Sequence, residues 1–584
     1  GTSNLLAQKP FQYILDGDSI TLDTISLKGV ESFGMDKSKI NLGNEGTPEY
    51  SLLMDAGFAL RGDYSFLSFQ QEFPHKRYNV SKPVTNARYV TGSKLEQHFN
   101  IYHTQNFSRK SNFSIGFDKI NSPGYYINQS TNNSHFYTNA YGDGIGKKEY
   151  SFEFNVDYSN LLSSLNGGIV NDSDFVNDVN DLRNRELLEV NLINASQQLK
   201  KWSISYEHSL NLVNKVDTLS NRGYKIGLTH DVSFTQQERD FYESILNVNF
   251  YNYIYDDTLI TSDEVYYSQV ASTVGVNYQQ IGKSKTDLYF GVKPSWNIYK
   301  QAVIDTNVLD VDAVLSLNWK YKSLSLAASG MYLVNDIYEN NDYDFKLGAL
   351  YKVNDFQKIK AIANMHRDRV ALDMQNYQAN NVVWSNVFSK QSLFQYGVEY
   401  VHQREWTKSI SFNYFDVKNP FYFGYDAKPS QVIGYGQVLQ AKMELEGKLG
   451  KRWNLKSKLA YQEFGGYNVF LMPNFFGNFN FSYEFKMFKK KLDLSVGLDL
   501  TYFSKYQSKD FDPVSGQFII ATDNEVGGYP YADVFVKGRV QRATFFVMSS
   551  HPNQGLLGYD YFLVPSYPGL DRVIRIGVSW LFVN

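Results

Sequence analysis

The sequence predicts an all-β protein, a transmembrane up-and-down antiparallel β-barrel with short periplasmic turns and long extracellular loops. Three observations carry the prediction. Apolar residues recur every second position in stretch after stretch, the period of strands and not of helices. The links between those stretches alternate between short and long, as expected of chains that turn tightly on one side of a membrane and loop widely on the other. Aromatics make up 16 % of the 584 residues, with 45 Tyr and 42 Phe, which suits strands and the aromatic girdles of membrane barrels.

Composition narrows the class further. Mean hydropathy is negative, and no run approaches the roughly 20 apolar residues that a spanning helix needs. A barrel can average hydrophilic because half of its strand residues face water. Cysteine is absent, which excludes disulfide frameworks, thiol nucleophiles and Cys-based metal sites, and leaves no N-terminal Cys for a lipid anchor. With 57 basic and 60 acidic residues the net charge is −3, so no nucleic-acid partner is expected. Gly1-Thr2-Ser3-Asn4 lacks a basic region followed by an apolar stretch, so the chain reads as a mature form.

In chain order, residues 1–80 form a separate segment and residues 81–584 the barrel. Ser19–Ile25 is briefly strand-like, and Asn41-Leu42-Gly43-Asn44-Glu45-Gly46-Thr47-Pro48 is rich in turn residues. This segment is either an extended periplasmic arm or a piece that folds into the lumen and narrows it. It is too short for the plug domain of an energy-coupled transporter.

Beyond it, short links are read near Arg109-Lys110, Gln198–Lys201, Gly282–Ser284, Asn354-Asp355, Arg404–Trp406, Gly450–Arg452, Lys489-Lys490 and Gln541-Arg542. Longer links fall at 120–133, 161–185, 214–222, 256–263, 299–308, 370–390, 417–430, 463–475, 505–528 and 552–571. The count is about 24 strands, within roughly 18 to 26.

The clearest strands lie late in the chain. In Leu492–Tyr502, six apolar residues stand at period 2 with polar residues or Gly between them. Phe479, Phe481, Tyr483, Phe485 and Met487 alternate with polar partners in the same way. The polar faces nominate lumen-lining residues: Lys442, Glu444, Glu446, Lys448, Lys456, Lys458, Glu484, Lys486, Asp493 and Asp499. Mixed signs there predict transverse fields and weak ion selectivity, or a salt-bridged filling with no open channel.

The last strand sets Ile574, Ile576, Val578, Trp580 and Phe582 on one face. Its Gly577-x-x-Trp580-x-Phe582 ending resembles the signal by which outer-membrane barrels are inserted, with Val583 and Asn584 following the final aromatic.

Four stretches together resemble a known family. They are Asn41–Ser51, Arg88-Tyr89-Val90-Thr91-Gly92-Ser93-Lys94-Leu95-Glu96-Gln97, His103–Asn106 and Asn121-Ser122-Pro123-Gly124-Tyr125-Tyr126. They are similar to the outer-membrane porins of the Bacteroidota, barrels with a Leu-Gly-Asn-x-Gly-x-Pro run near the mature N-terminus and a Gly-Ser-Lys-x-Glu-Gln hairpin after it. The resemblance covers mainly residues 41–130 and the last strand. It implies passive diffusion and brings no family set of catalytic residues.

Other chemistry finds little support in the residues. The nine histidines (His75, His98, His103, His135, His208, His230, His366, His402 and His551) include no His-Glu-x-x-His and no close pair with an acidic third ligand. His98 and His103 differ by an odd number, so one strand would point them to opposite faces. A barrel hydrolase would need a spatial triad, for which His103 and His402 are the test positions. Asn171–Asp181 is acidic but lacks the spacing and Gly of an EF-hand, and reads as a solvated loop. Asp217-Thr218-Leu219 and Asp257-Thr258-Leu259 have the form of O-glycosylation sites in loops read as external. Asp18-Ser19-Ile20 has the same form.

The expected function is therefore an outer-membrane porin, not an enzyme, passing small polar solutes through a charge-lined lumen without a cofactor or metal. The alternative is a non-conducting accessory barrel of a larger assembly, secretion or uptake complex, and a weaker one is a barrel hydrolase. Expected partners are outer-membrane lipid and lipopolysaccharide, the barrel-assembly machinery through the C-terminal strand, and other envelope proteins. The expected location is the bacterial cell outer membrane.

Overall fold

A computed structural model describes residues 20–21, 37–57, 77–146, 149–177, 185–217, 220–335, 342–520 and 524–583. Twenty-two antiparallel strands close into one ring. In chain order they are β1 Val84–Gly92, β2 Gln97–Ser108, β3 Ser111–Ser122, β4 Thr131–Ile145, β5 Tyr150–Leu165, β6 Ala195–Asp217, β7 Arg222–Glu243 and β8 Thr261–Ile281. Then follow β9 Ser284–Gln301, β10 Ile304–Tyr321, β11 Leu324–Leu333, β12 Tyr343–Lys352, β13 Gln357–Asp368, β14 Gln391–Gln403 and β15 Trp406–Lys418. The ring finishes with β16 Tyr435–Leu449, β17 Trp453–Gly466, β18 Phe475–Met487, β19 Leu492–Phe503, β20 Tyr531–Val540, β21 Ala543–Ser550 and β22 Val573–Val583. Each strand pairs with its sequence neighbour, and β22 closes on β1 from Arg575 opposite Gly92 to Val583 opposite Val84. Closure leaves no edge strand, which hydrocarbon would not tolerate.

The alternation sorts the two faces as the period requires. Phe481, Leu498, Ile576, Val578, Trp580 and Phe582 are exposed on the outside, and Trp580 stacks on Phe582 at 5.4 Å. Gly577 points inward instead. A Cβ there would sit 2.1 Å from the Phe546 ring, so only glycine lets that ring lie across the strand.

All links at one end, the short-turn end, span four residues or fewer. At the other, the long-loop end, they include 166–194, 369–390, 504–530 and 551–572. Three link readings need correction. Gln198–Lys201 lies inside β6, where Lys200 Nζ reaches Asp240 (3.5 Å) and Glu238 (3.7 Å) on β7; a charged cross-strand cluster had the look of a turn. The polar stretch 214–222 is the end of the β6–β7 ribbon, with a four-residue link at the short-turn end. There Glu149 accepts hydrogen bonds from Asn211 (2.9 Å) and Asn214 (3.2 Å). Residues 299–308 are mostly strand around a two-residue turn at Ala302 and Val303.

These changes move the glycosylation-like triplets. Asp217 ends β6 at the short-turn end, and Thr218 and Leu219 lie outside the described residues. Asp257-Thr258-Leu259 stays in the 244–260 loop at the long-loop end. Asp18 and Ser19 lie outside the described residues, and Ile20–Thr21 pairs in parallel with Tyr78–Asn79.

Candidate functional site: the closed long-loop half of the lumen

Residues 37–57 cross the interior of the ring. Lys39–Asn41 and Glu49–Ser51 pair as a small hairpin. Its connecting turn is held by its own side chains: Asn41 Nδ2 donates to the Asn44 carbonyl (2.6 Å), and Thr47 Oγ1 donates to the same oxygen (2.7 Å). Gly43 is at φ +83, and a Cβ there would meet the Pro568 carbonyl at 2.6 Å, so the turn needs glycine twice over.

One end of the hairpin docks on β3–β5. Asn44 Nδ2 donates to the Gln129 carbonyl (2.8 Å) and Ser122 Oγ to Asn44 Oδ1 (2.7 Å). Thr131 Oγ1 donates to the Glu45 carbonyl (2.7 Å), and Ser163 Oγ to the Gly46 carbonyl (3.5 Å). The other end docks on β16 and β17. Gln462 Oε1 accepts from Met54 N (2.7 Å), and Gln440 Nε2 donates to the Met54 carbonyl (3.0 Å). Tyr50 donates to the carbonyls of Phe470 and Leu471, the latter at 2.8 Å. Twelve strand steps separate β5 from β17 one way round the ring and ten the other, so the segment bridges nearly opposite walls.

Long loops join it from the long-loop end. The 504–530 loop, which leaves between β19 and β20, crosses to β7. There Arg239, only 1 % exposed, donates to the carbonyls of Pro513 (3.1 Å) and Val514 (2.6 Å), to Gln197 Oε1 (2.8 Å) and to Tyr377 Oη (3.0 Å). Phe421–Phe423 and Pro429–Gln431 of one loop combine with Asp510–Asp512 and Gln517–Ile519 of another into a four-stranded sheet inside the mouth. Phe518 packs on Tyr50 at 5.4 Å. A single apolar cluster runs through hairpin, loops and wall, including Leu52, Phe241, Trp384, Phe423 and Tyr561. Burial raises the carboxyl groups of Asp510, to about 7, and of Asp512.

The Asn171–Asp181 stretch differs from the solvated loop expected. Asp172–Val176 is a short helix capped by Asn171, and Phe175 is buried edge-on against Tyr561 and Phe562. Residues 178–181 lie outside the described residues. Arg185 lies over the Phe175 ring at 3.8 Å and pairs with Asp571, tying the 166–194 loop to the 551–572 loop.

The ten nominated charged residues all sit on the inward parity of β16–β19, most of them toward the short-turn end, and the structure brings many of them together. Lys448 pairs with Glu484 at 2.8 Å, Lys486 with Asp493 at 2.9 Å, and Asp493 with Arg539 at 2.5 Å. Asn478 and Asn480 both donate to Asp499 (2.8 and 3.0 Å). Lys458 reaches Ser38 Oγ at 3.3 Å. Glu444, Lys448 and Lys456 are exposed, and Lys442 and Glu446 are half-buried. His98 and Asp118 meet across β2 and β3 at 3.0 Å on the inner face, whereas His103 faces outward against Thr85 (2.7 Å). His402 also has the outward parity. Among the described residues no group of three His, Cys, Asp or Glu could hold a metal ion. Sequence reasoning missed Arg239 and the docking partners of the hairpin. The Asn/Gly-rich run at 41–48 was the one visible signal.

Solved structures share this architecture. The ferric enterobactin receptor PfeA aligns with TM-score 0.60 at 11 % identity, over 87 % of this chain and 82 % of that one. The siderophore receptor PirA from Acinetobacter baumannii gives 0.58 at 10 % identity, over 87 % and 81 %. The closed form of the ferric-catecholate import receptor Fiu from E. coli K12 gives 0.57 at 12 % identity, over 86 % and 82 %. At such identities the likeness is one of fold alone. No curated protein matches in sequence. The family described as "Putative porin" matches residues 13–584. With nearly its whole length covered, this outer-membrane β-barrel chain belongs to that family.

Proposed function

We propose that the protein is an outer-membrane transport barrel that is shut at rest and passes small polar solutes when the 37–57 segment and the inward loops give way. The observation that carries this is the span of the hairpin between β3–β5 and β16–β17, hydrogen-bonded at both walls. A diffusion pore needs a continuous wet path, and the outer half of this lumen is packed with apolar side chains instead. The inner half offers charged, water-accessible walls on which a solute that passes the constriction can move. The long-loop end is taken as extracellular, which is the usual polarity of such barrels. The similar barrels named above are receptors, one of them an import receptor in its closed form, and this supports a barrel that opens on demand.

Planar-bilayer recording tests the reading. The intact chain should be silent or flicker rarely, and a variant lacking residues 37–57 should show stable conductance steps. Steady large conductance from the intact chain would restore permanent passive diffusion.

A second reading has its own support. Ile245, Leu259, Tyr425 and Leu556, all on long loops, are at least 70 % exposed, and apolar loop tips favour docking of other envelope proteins. Silence of both proteins in the bilayer, with envelope proteins co-purifying, would favour that accessory role.

A further inference from the structure

We infer that the hairpin is latched by a proton shared between Glu45 at its turn and Glu96 on the barrel wall, so that rising pH loosens the closure. This rests on the reading of residues 37–57 as the gate. Glu96, in the link between β1 and β2, is 5 % exposed at its side chain and already has its cation. Arg575 on β22 donates to it through Nε (3.0 and 3.2 Å) and Nη2 (3.0 Å). Glu45, whose Oε1 lies 3.7 Å from His98 Nδ1, is thus a second carboxyl group brought beside a pair that is already satisfied, and the two carboxyl groups influence one another directly. Two carboxylates repel unless a proton lies between them, so a proton held there strengthens docking of the turn.

The other charged groups that face Glu45 are known. From β2, His98 places Nδ1 3.7 Å from Glu45 Oε1, while its Nε2 is engaged by Asp118 of β3 at 3.0 Å. From β1, Arg88 acts at longer range. Burial, then the hydrogen bond to Glu96, push the Glu45 carboxyl up to about 7, against the pull of Arg575 and His98. Burial acts on Glu96 too, but Arg575 and the Glu45 hydrogen bond hold it below the usual glutamate range.

The sign follows. The docked turn holds a proton that the free turn releases in the ordinary glutamate range. Docking is therefore strongest at low pH, weakens as pH climbs towards about 7, and is flat above.

Hydrogen exchange of the peptide spanning residues 41–50, corrected for the intrinsic pH dependence of exchange, reads the docking directly in the full chain. Opening should rise roughly tenfold between pH 6 and pH 8. Glu45→Gln, whose amide donates to Glu96 with no proton required, should stay protected at both values. Glu96→Gln should also lose the dependence and serves if the first variant does not assemble. His98→Gln should keep the slope. A flat profile in the unchanged protein, or a slope that survives Glu45→Gln, overturns the latch. A slope without any change in conductance supports the latch and removes the gate reading instead.

Discussion

The two halves of the lumen are built from the same strands and reach opposite solutions. Towards the long-loop end the inward face meets other protein: Arg239 is fully enclosed, Tyr50 is buried, and an apolar cluster bridges the ring. Towards the short-turn end the inward face meets water, and Glu444, Lys448 and Lys456 remain exposed. The difference lies in the connections. Loops long enough to fold back bring their own apolar residues and cover the wall, whereas links of four residues or fewer cannot. Cations therefore differ in weight between the halves. A buried, fully bonded cation fixes a loop, while an exposed pair such as Lys448–Glu484 contributes little.

The largest effect is expected at Arg239. Arg239→Leu strips the buried carbonyls of Pro513 and Val514 and the Gln197 amide of their donor, at about 1–3 kcal/mol for each unsatisfied group. The 504–530 loop should become sensitive to protease near residues 510–516 while the strands stay resistant. Cleavage no faster than in the unchanged protein would show that this anchor does not hold the outer layer.

Next comes pH. Asp510 and Asp512 are raised by burial, so the folded loop holds protons that a released loop would lose. The stability they contribute is full in acid, falls as pH rises from the ordinary aspartate range towards 7, and is gone above. Exchange of the 506–520 peptide should quicken over that interval, and Asp510→Asn should reduce the dependence. Loosening in acid instead would reverse the assignment.

The smallest effect sharpens the contrast from the other side. Lys448→Ala removes a pair whose side chains are 54 % and 32 % exposed, and should change stability by less than about 1 kcal/mol. A thermal melt within error of the unchanged protein is expected. A large loss would mean that the inner half is as tightly knit as the outer.

The wall of this molecule was legible in the sequence and its filling was not. A strand leaves a period of two, so β19 and the inward set from Lys442 to Asp499 could be read from local pattern alone. The misplaced links at 198–201, 214–222 and 299–308 show where that method fails. Polar residues that pair across strands, or extend beyond the apolar band, look like loops. Arg239 with Val514 and Tyr50 with Phe470 are contacts between residues hundreds of positions apart, and such contacts impose no periodicity. The hairpin left a local trace, the Asn/Gly run at 41–48, which announced a tight turn without naming the wall that receives it.

The lumen is proposed to be shut at the long-loop end and open at the short-turn end. Because the chain has no cysteine, Lys448→Cys introduces a single thiol on the inner wall. In intact cells, a bulky membrane-impermeant maleimide added outside should leave it unlabelled, and opening the envelope should label it within minutes. Rapid labelling from outside in intact cells would contradict the account.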